Sequence, residues 1–334
     1  MINPLQPALL TGTALYRDNP LEHTPVKNKT WQHLLDIDHL SRQQLNSLLE
    51  LAKQVADDPG AFANQLNGKV LINLFLEPST RTRISFEIAA KRLGMHVINF
   101  QPQSSSAVKG EALVDTFHTL QAMQPDVIAI RHAEDGVLAS LAAVAEAGVH
   151  VINAGEGRSQ HPTQALLDAV TLMRARPDLA QEDFSGLTVT IAGDIRHSRV
   201  ARSSVAMFKQ LGVAGIRLAG PAELLPTDEI DGVDYFTSLD EAVTGADVVM
   251  MLRIQRERFE SMAVPDEKTY FETWGLTPGR LELASPACVV LHPGPVNRGI
   301  EIASEVADGP QSLIRQQVSN GVYTRMAVLL ALAG

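Results

Sequence analysis

The sequence predicts an α/β protein of two domains, each a parallel β-sheet flanked by helices, joined by interdomain helices. Three observations carry this reading. Short apolar runs alternate with helix-period segments of ten or more residues, the pattern of parallel strands and crossover helices. A chain of 334 residues has length for two cores. The polar, turn-rich stretch from Arg176 to Gly186 interrupts the alternation near its middle, after which it resumes.

Residues 1–32 are rich in Pro, Asn and Thr without periodicity and read as an N-terminal extension. Ser41-Arg-Gln-Gln44 is a capping box, opening a helix with Leu45, Leu48, Leu49 and Ala52 on one face. Strand Val70–Leu76 leads to helix Thr80–Leu93, stopped by Gly94. Strand His96–Phe100 leads to a serine-rich loop and helix Gly110–Gln121. Strand Val127–Arg131 precedes helix Gly136–Ala147, and strand His150–Ala154 precedes helix Pro162–Arg174. These define a first domain over 33–174. The second, 187–309, holds strand Leu187–Ala192, helix Arg199–Leu211 and strands Gly215–Ala219, Ala246–Leu252 and Cys288–Leu291. The remainder, 310–334, reads as a C-terminal helix long enough to return to the first domain.

Composition narrows the function classes. A formal charge of -10, from 28 basic and 38 acidic residues, argues against nucleic acid as a partner, and no Lys/Arg block runs against it. The single Cys288 excludes an intramolecular disulfide and sits in an apolar run as core filler. The first residues contain neither a signal peptide nor a membrane span, so the cytoplasm is the expected location. His118, His132, His150 and His161 lack metal-ligand spacing, so no metal is expected. No G-x-S-x-G elbow is present, and Gly193-Asp194 lacks the further glycines of a dinucleotide fingerprint, so no cofactor is expected either.

The motif with most chemistry is Glu77-Pro-Ser-Thr-Arg-Thr-Arg83. It joins a strand to a helix, so Ser79, Thr80, Arg81 and Thr82 meet the unpaired N–H groups and positive dipole of a helix N-terminus. Hydroxyls and guanidinium groups there make an anion site, where a bare Ser-Thr pair would be only a cap. Ligands of open parallel sheets bind beyond the C-terminal strand ends. Those ends carry Lys109, Arg131-His132, His161-Pro-Thr-Gln164, Arg199, Arg253-Ile-Gln255 and His292-Pro-Gly-Pro295. Their convergence describes a cleft for a polyanion. His161-Pro-Thr-Gln164 alone fits a plain helix start equally well; in this company its imidazole and amide become donors and acceptors for a substrate.

Taken in this order, the motifs resemble the aspartate/ornithine carbamoyltransferases, and within them the aspartate carbamoyltransferase catalytic chains, over about residues 33–333. The resemblance implies that 33–174 binds carbamoyl phosphate and 187–309 binds L-aspartate. Ser79, Thr80, Arg81, Thr82 and Arg131 would hold the phosphate, with Ser105 beside them. Thr82, Arg131 and His161 would polarise the carbonyl, while Gln164 and the Pro295 carbonyl hold the carbamoyl NH2. Arg199 would take the α-carboxylate of aspartate, and Arg253 with Gln255 the β-carboxylate, near Gly294 and Pro295. Ornithine enzymes resemble one another in a His-Cys-Leu-Pro segment, where this chain reads His292-Pro-Gly-Pro295.

The resemblance further implies a homotrimer with shared sites, in which the loop of Ser105 and Lys109 enters the neighbouring subunit's cleft. Lys109 would serve both aspartate binding and catalysis, and Val108 stands where relatives often have a second lysine. Glu77 resembles a carboxylate that bridges the domains to Arg199 and Arg258. For the N-terminal extension the resemblance leaves open docking to a dihydroorotase-like or regulatory chain, a response to nucleotide, or a disordered tail without function.

Overall fold

A computed structural model describes residues 31–100, 111–176, 179, 183–254 and 266–334. The expected extension over 1–32 falls almost wholly outside them, as do Ser105, Lys109, Gln255 and Arg258. Two parallel sheets flanked by helices make up the molecule, the α/β architecture that the alternation predicts.

The first lobe opens with α1 (Arg42–Asp57), whose capping box forms: Ser41 Oγ accepts the Gln44 N–H, and Gln44 Oε1 accepts the Ser41 N–H. There follow β1 (Val70–Phe75), α2 (Thr80–Arg92), β2 (His96–Asn99), α3 (Leu113–Gln121), β3 (Val127–His132), α4 (Val137–Ala143), β4 (His150–Glu156) and α5 (Pro162–Ala175). The second lobe comprises β5 (Thr188–Ala192), α6 (Arg199–Leu211), β6 (Gly215–Ala219), β7 (Asp234–Phe236), α7 (Leu239–Val243), β8 (Val248–Met251), α8 (Glu267–Trp274), α9 (Pro278–Leu281), β9 (Val289–Leu291) and α10 (Ser304–Ala307). Helix α11 (Ile314–Ala333) closes the chain and packs on α1, α2 and α5.

Strand order is β2-β1-β3-β4 in one sheet and β7-β6-β5-β8-β9 in the other, every pair parallel. Each sheet reverses its winding once, beside β1 and beside β5, and a crevice opens at each reversal. Both sheets are pinned by one device. Asp126 accepts the Val70 N–H where β1 begins, and Asp247 accepts the Thr188 N–H where β5 begins.

Helix α5 is buried from Pro162 to Met173, and the largest apolar cluster runs from α1 and β1 through α5 and α11 into β5, β8 and α6. A helix surrounded by core on all sides sets the lobes against each other, so crevices of both sheets face one space. No helix of the described residues is long and apolar enough to cross a membrane.

Some boundaries differ from the sequence expectation for tertiary reasons. Helix α4 stops at Ala143 rather than Ala147, because the Gln121 side chain takes the Val144 carbonyl and the Glu146 N–H. Helix α11 starts at Ile314 rather than Gln311, because residues flanking Ser312 pair with Val290 of β9. Edge strand β7 and helices α7 to α10 have no counterpart in the sequence reading.

Candidate active site

A cavity of about 360 Å³ lies between the lobes. The end of β1 and the start of α2 supply Ser79, Thr80, Arg81 and Thr82; β3 supplies Arg131; the α5 start supplies His161 and Gln164. From the second lobe come Arg199 at the start of α6, Arg253 after β8, and His292, Gly294 and Pro295 after β9. Every expected site residue that is described therefore borders one space. His132, named with Arg131, does not line it; its Nδ1 accepts the Glu134 N–H instead.

Ser79 caps α2 by its backbone, with no side-chain hydrogen bond to the helix, so its hydroxyl is not consumed in capping. Arg81 is held below the usual guanidinium range by burial and then by like-charge repulsion from Arg253 across the cleft. An anion between these two cations would relieve both effects. Arg131 donates through Nη1 to the Ala154 carbonyl at 3.3 Å and pairs through Nε with Glu77 Oε2 at 3.0 Å. Arg199 reaches the same Glu77 oxygen through Nη2 at 2.8 Å. Glu77 thus fastens a guanidinium from each lobe at the cavity rim.

His161 is kept far below the ordinary imidazole range by burial, reinforced by Arg131, Arg325 and Arg199. A neutral ring in a field of cations donates one N–H without itself adding charge. Its backbone N–H is held by Ser203 Oγ at 2.7 Å, which fixes the entry to α5, where Pro162 occupies the first helical position.

Several contributors were not foreseen. Ser85, Ser198, Gln317 and Arg325 also line the cavity. Arg325 is buried, donates to Ser85 Oγ, the Gly321 carbonyl and Thr163 Oγ1, and stacks over Phe86 with its cation 5.1 Å from the ring centre. Desolvation lowers it to about 10. An arginine directly before the apolar run from Met326 to Ala333 was the signal available in sequence. Gly155 matters by what it lacks: at φ +118, a Cβ there would sit 2.6 Å from Arg131 Nη1 and 3.4 Å from Arg199 Cζ. Gly294, at φ +70, lies under Arg81 with less crowding, a Cβ there sitting 3.2 Å from its Nε.

Arg81, Arg131, Arg199, Arg253 and Arg325 face the space, and no described lining residue is a carboxylate. In a chain of charge -10 this concentration is local and selects anions. No described cluster of His, Cys, Asp and Glu has metal-binding form.

Comparison with known proteins agrees with this chemistry. Residues 32–174 match the family model for the aspartate/ornithine carbamoyltransferase carbamoyl-P binding domain, and 185–332 the model for its Asp/Orn binding domain. The aspartate carbamoyltransferase catalytic subunit of Methylorubrum populi is 51% identical over 310 residues, covering 90% of this chain and 95% of that relative. Aspartate transcarbamoylase of Trypanosoma cruzi, solved with carbamoyl aspartate and phosphate, superposes with a TM-score of 0.81 at 30% identity, covering 95% of this chain and 100% of that one. Ornithine carbamoyltransferase of Thermus thermophilus superposes at 0.78 with 28% identity, covering 91% and 99%. Fold alone therefore does not separate the two acceptors.

Proposed function

This chain belongs to the aspartate/ornithine carbamoyltransferase family, and from that premise we propose that it transfers the carbamoyl group of carbamoyl phosphate to the α-amino group of L-aspartate. The products are N-carbamoyl-L-aspartate and phosphate, a step of de novo pyrimidine synthesis. One observation carries the reading: a cavity with no carboxylate among its described lining residues, whose cations divide between the lobes, Arg81 and Arg131 on one side and Arg199 and Arg253 on the other. That division suits two anionic substrates meeting at the midline.

On this reading the start of α2, with Ser79, Thr80, Arg81 and Thr82, and Arg131 hold the phosphate by charge-assisted hydrogen bonds. Thr82, Arg131 and the neutral His161 face the carbonyl oxygen, which gains charge as the amine attacks. Gln164 and the Pro295 carbonyl accept from the carbamoyl NH2. Arg199 takes the α-carboxylate, Arg253 and Gln255 the β-carboxylate, with the backbone of Gly294 alongside. The new N–C bond forms, the C–O bond to phosphorus breaks, and the departing phosphate takes the amine proton. No side chain becomes covalently attached. Orientation of two reactants contributes up to roughly 7–11 kcal/mol, and each oxyanion donor roughly 3 kcal/mol.

The assembly we assign is a homotrimer in which Ser105 and Lys109 of one subunit serve the cleft of the next. Its support is indirect: Ile84 and Ile88, one turn apart on α2, and Ile98 on edge strand β2 leave apolar side chains at the first lobe's surface. Docking of a dihydroorotase-like or regulatory chain stays attached to the N-terminal extension. The test is phosphate release from carbamoyl phosphate with and without L-aspartate, alongside L-ornithine. Release that depends on aspartate is expected; release with ornithine alone, or none with either, overturns the reading.

A further inference from the structure

The amide of Gln164 has its orientation set from behind. Its Nε2 donates to Oδ1 of Asp168 at 2.9 Å, one turn further along α5. The same oxygen accepts from Nε2 of Gln317 on α11 at 2.7 Å. Oε1 of Gln317 in turn accepts the backbone N–H of His292 at 2.9 Å. All four residues are buried. A primary amide has one donor end and one acceptor end, so committing its NH2 to a carboxyl oxygen leaves its own oxygen for the cavity it lines.

We propose that Asp168 is a positioning residue for carbamoyl transfer: it locks the Gln164 amide with its oxygen toward the carbamoyl NH2 and, through Gln317, ties that amide to the loop carrying Pro295. The inference rests on the carbamoyl phosphate reading of the cavity. It couples the two NH2 acceptors, one from each lobe, to a single carboxyl. The geometry tolerates either protonation state. Burial pushes Asp168 up to about 7, and Oδ2 has no hydrogen-bond partner among the described residues. A proton on Oδ2 would neutralise the group while Oδ1 kept accepting from both amides. Asp168 has no ion pair among the described residues to explain a wholly buried carboxyl, so its two amide bonds, followed by the more distant charge of Arg325, are what offset the desolvation.

A simple strut between α5 and α11 would use the same bonds, and kinetics of the full chain separates the two roles. Asp168→Ala is expected to lower kcat/KM for carbamoyl phosphate on the order of tenfold, the scale of one lost hydrogen bond. In a Gln164→Ala background the same change is expected to cost clearly less than it does alone, because one of the two acceptors it positions is already gone and only the tie through Gln317 remains to be lost. Affinity for inorganic phosphate, titrated calorimetrically, is expected to hold, since the phosphate end does not touch Gln164. Asp168→Asn, which keeps an oxygen acceptor and the volume, is expected to recover most of the loss and guards against a folding defect. Additive losses, a fall in phosphate affinity, or an Asp168→Asn protein as impaired as Gln164→Ala overturn the role. A parent chain without aspartate-dependent turnover overturns the functional reading as well; a parent that turns over with additive losses overturns only this inference.

Discussion

Oε2 of Glu77 lies 2.8 Å from Nη2 of Arg199, so a carboxylate following β1 holds a guanidinium of the other lobe. The same oxygen pairs with Arg131 at 3.0 Å. The family resemblance implies two partners for Glu77, Arg199 and Arg258; Arg258 is outside the described residues, and Arg131 is a partner that the resemblance did not name. Glu77 is partly exposed at 23%, so its pairs are screened and its value is in aiming cations rather than in stability. Glu77→Ala is expected to raise the aspartate concentration for half-maximal rate roughly tenfold, and to change carbamoyl phosphate affinity less. Equal shifts for both substrates would count against a role in presenting Arg199.

The depressed His161 makes a prediction about pH. Its unfolded value is 6.5 and its folded value lies well below. Between the two, the unfolded chain binds a proton that the folded chain refuses, so stability linked to His161 is full above 6.5 and is lost as pH falls through that window. Asp168 acts oppositely, since its folded value of about 7 exceeds 3.8 and stability falls as pH rises between them. The contribution of each is therefore read from its own variant. His161→Asn is expected to flatten the acid loss of stability in denaturant titrations below about pH 6.5, and the His161 ring carbon signal in NMR should not move from about pH 8 to 6. A ring that titrates near 6.5 would show that neither burial nor the surrounding cations control it.

The local parts of this site were legible in the sequence. Ser79 to Thr82 declare themselves because a strand end, a helix start and the side chains are contiguous, and α5 begins at Pro162 for an equally local reason. What escaped depends on distant chain. Arg325 reaches Ser85 across 240 positions, and Gln317 reaches Asp168 across 149. Neither residue belongs to a motif, and helix periodicity marks its position without saying what it meets. The elements missed in the second lobe, α7 to α10 and β7, have three to eight residues each, too few for a period to register.

Gly155 is the site's steric hinge. Its φ of +118 is one that side chains avoid, and a Cβ would collide with Arg131 Nη1 at 2.6 Å. Gly155→Ala must either displace that guanidinium or shift β4. Strain of about 1–3 kcal/mol is expected in the unfolding free energy, together with a rise of at least about tenfold in the carbamoyl phosphate concentration for half-maximal rate. An alanine protein with unchanged substrate affinity would mean that Arg131 has room to move without cost. Gly136→Ala, at φ +82 but with open space around it, supplies the control for backbone strain alone.

The loop from His292 to Pro295 is held by a buried pair whose protonation follows from geometry. Nδ1 of His292 accepts the Gly294 N–H at 2.8 Å, so the ring proton is on Nε2, which donates to Oε1 of Glu301 at 3.0 Å. That oxygen also accepts the Asn297 N–H at 2.5 Å. Both side chains are wholly buried. Removing the carboxylate leaves the buried His292 Nε2–H and the half-buried Asn297 N–H unpaired, the first costing about 1–3 kcal/mol and the second less, whereas a glutamine oxygen still accepts from both. Glu301→Ala is therefore expected to lower the denaturation midpoint much more than Glu301→Gln, with the slope against denaturant unchanged. Because the Gly294 backbone faces Arg81, the alanine protein should also weaken for carbamoyl phosphate. Equal destabilisation by Ala and Gln would show that the charge of Glu301, rather than its acceptor oxygen, holds the loop.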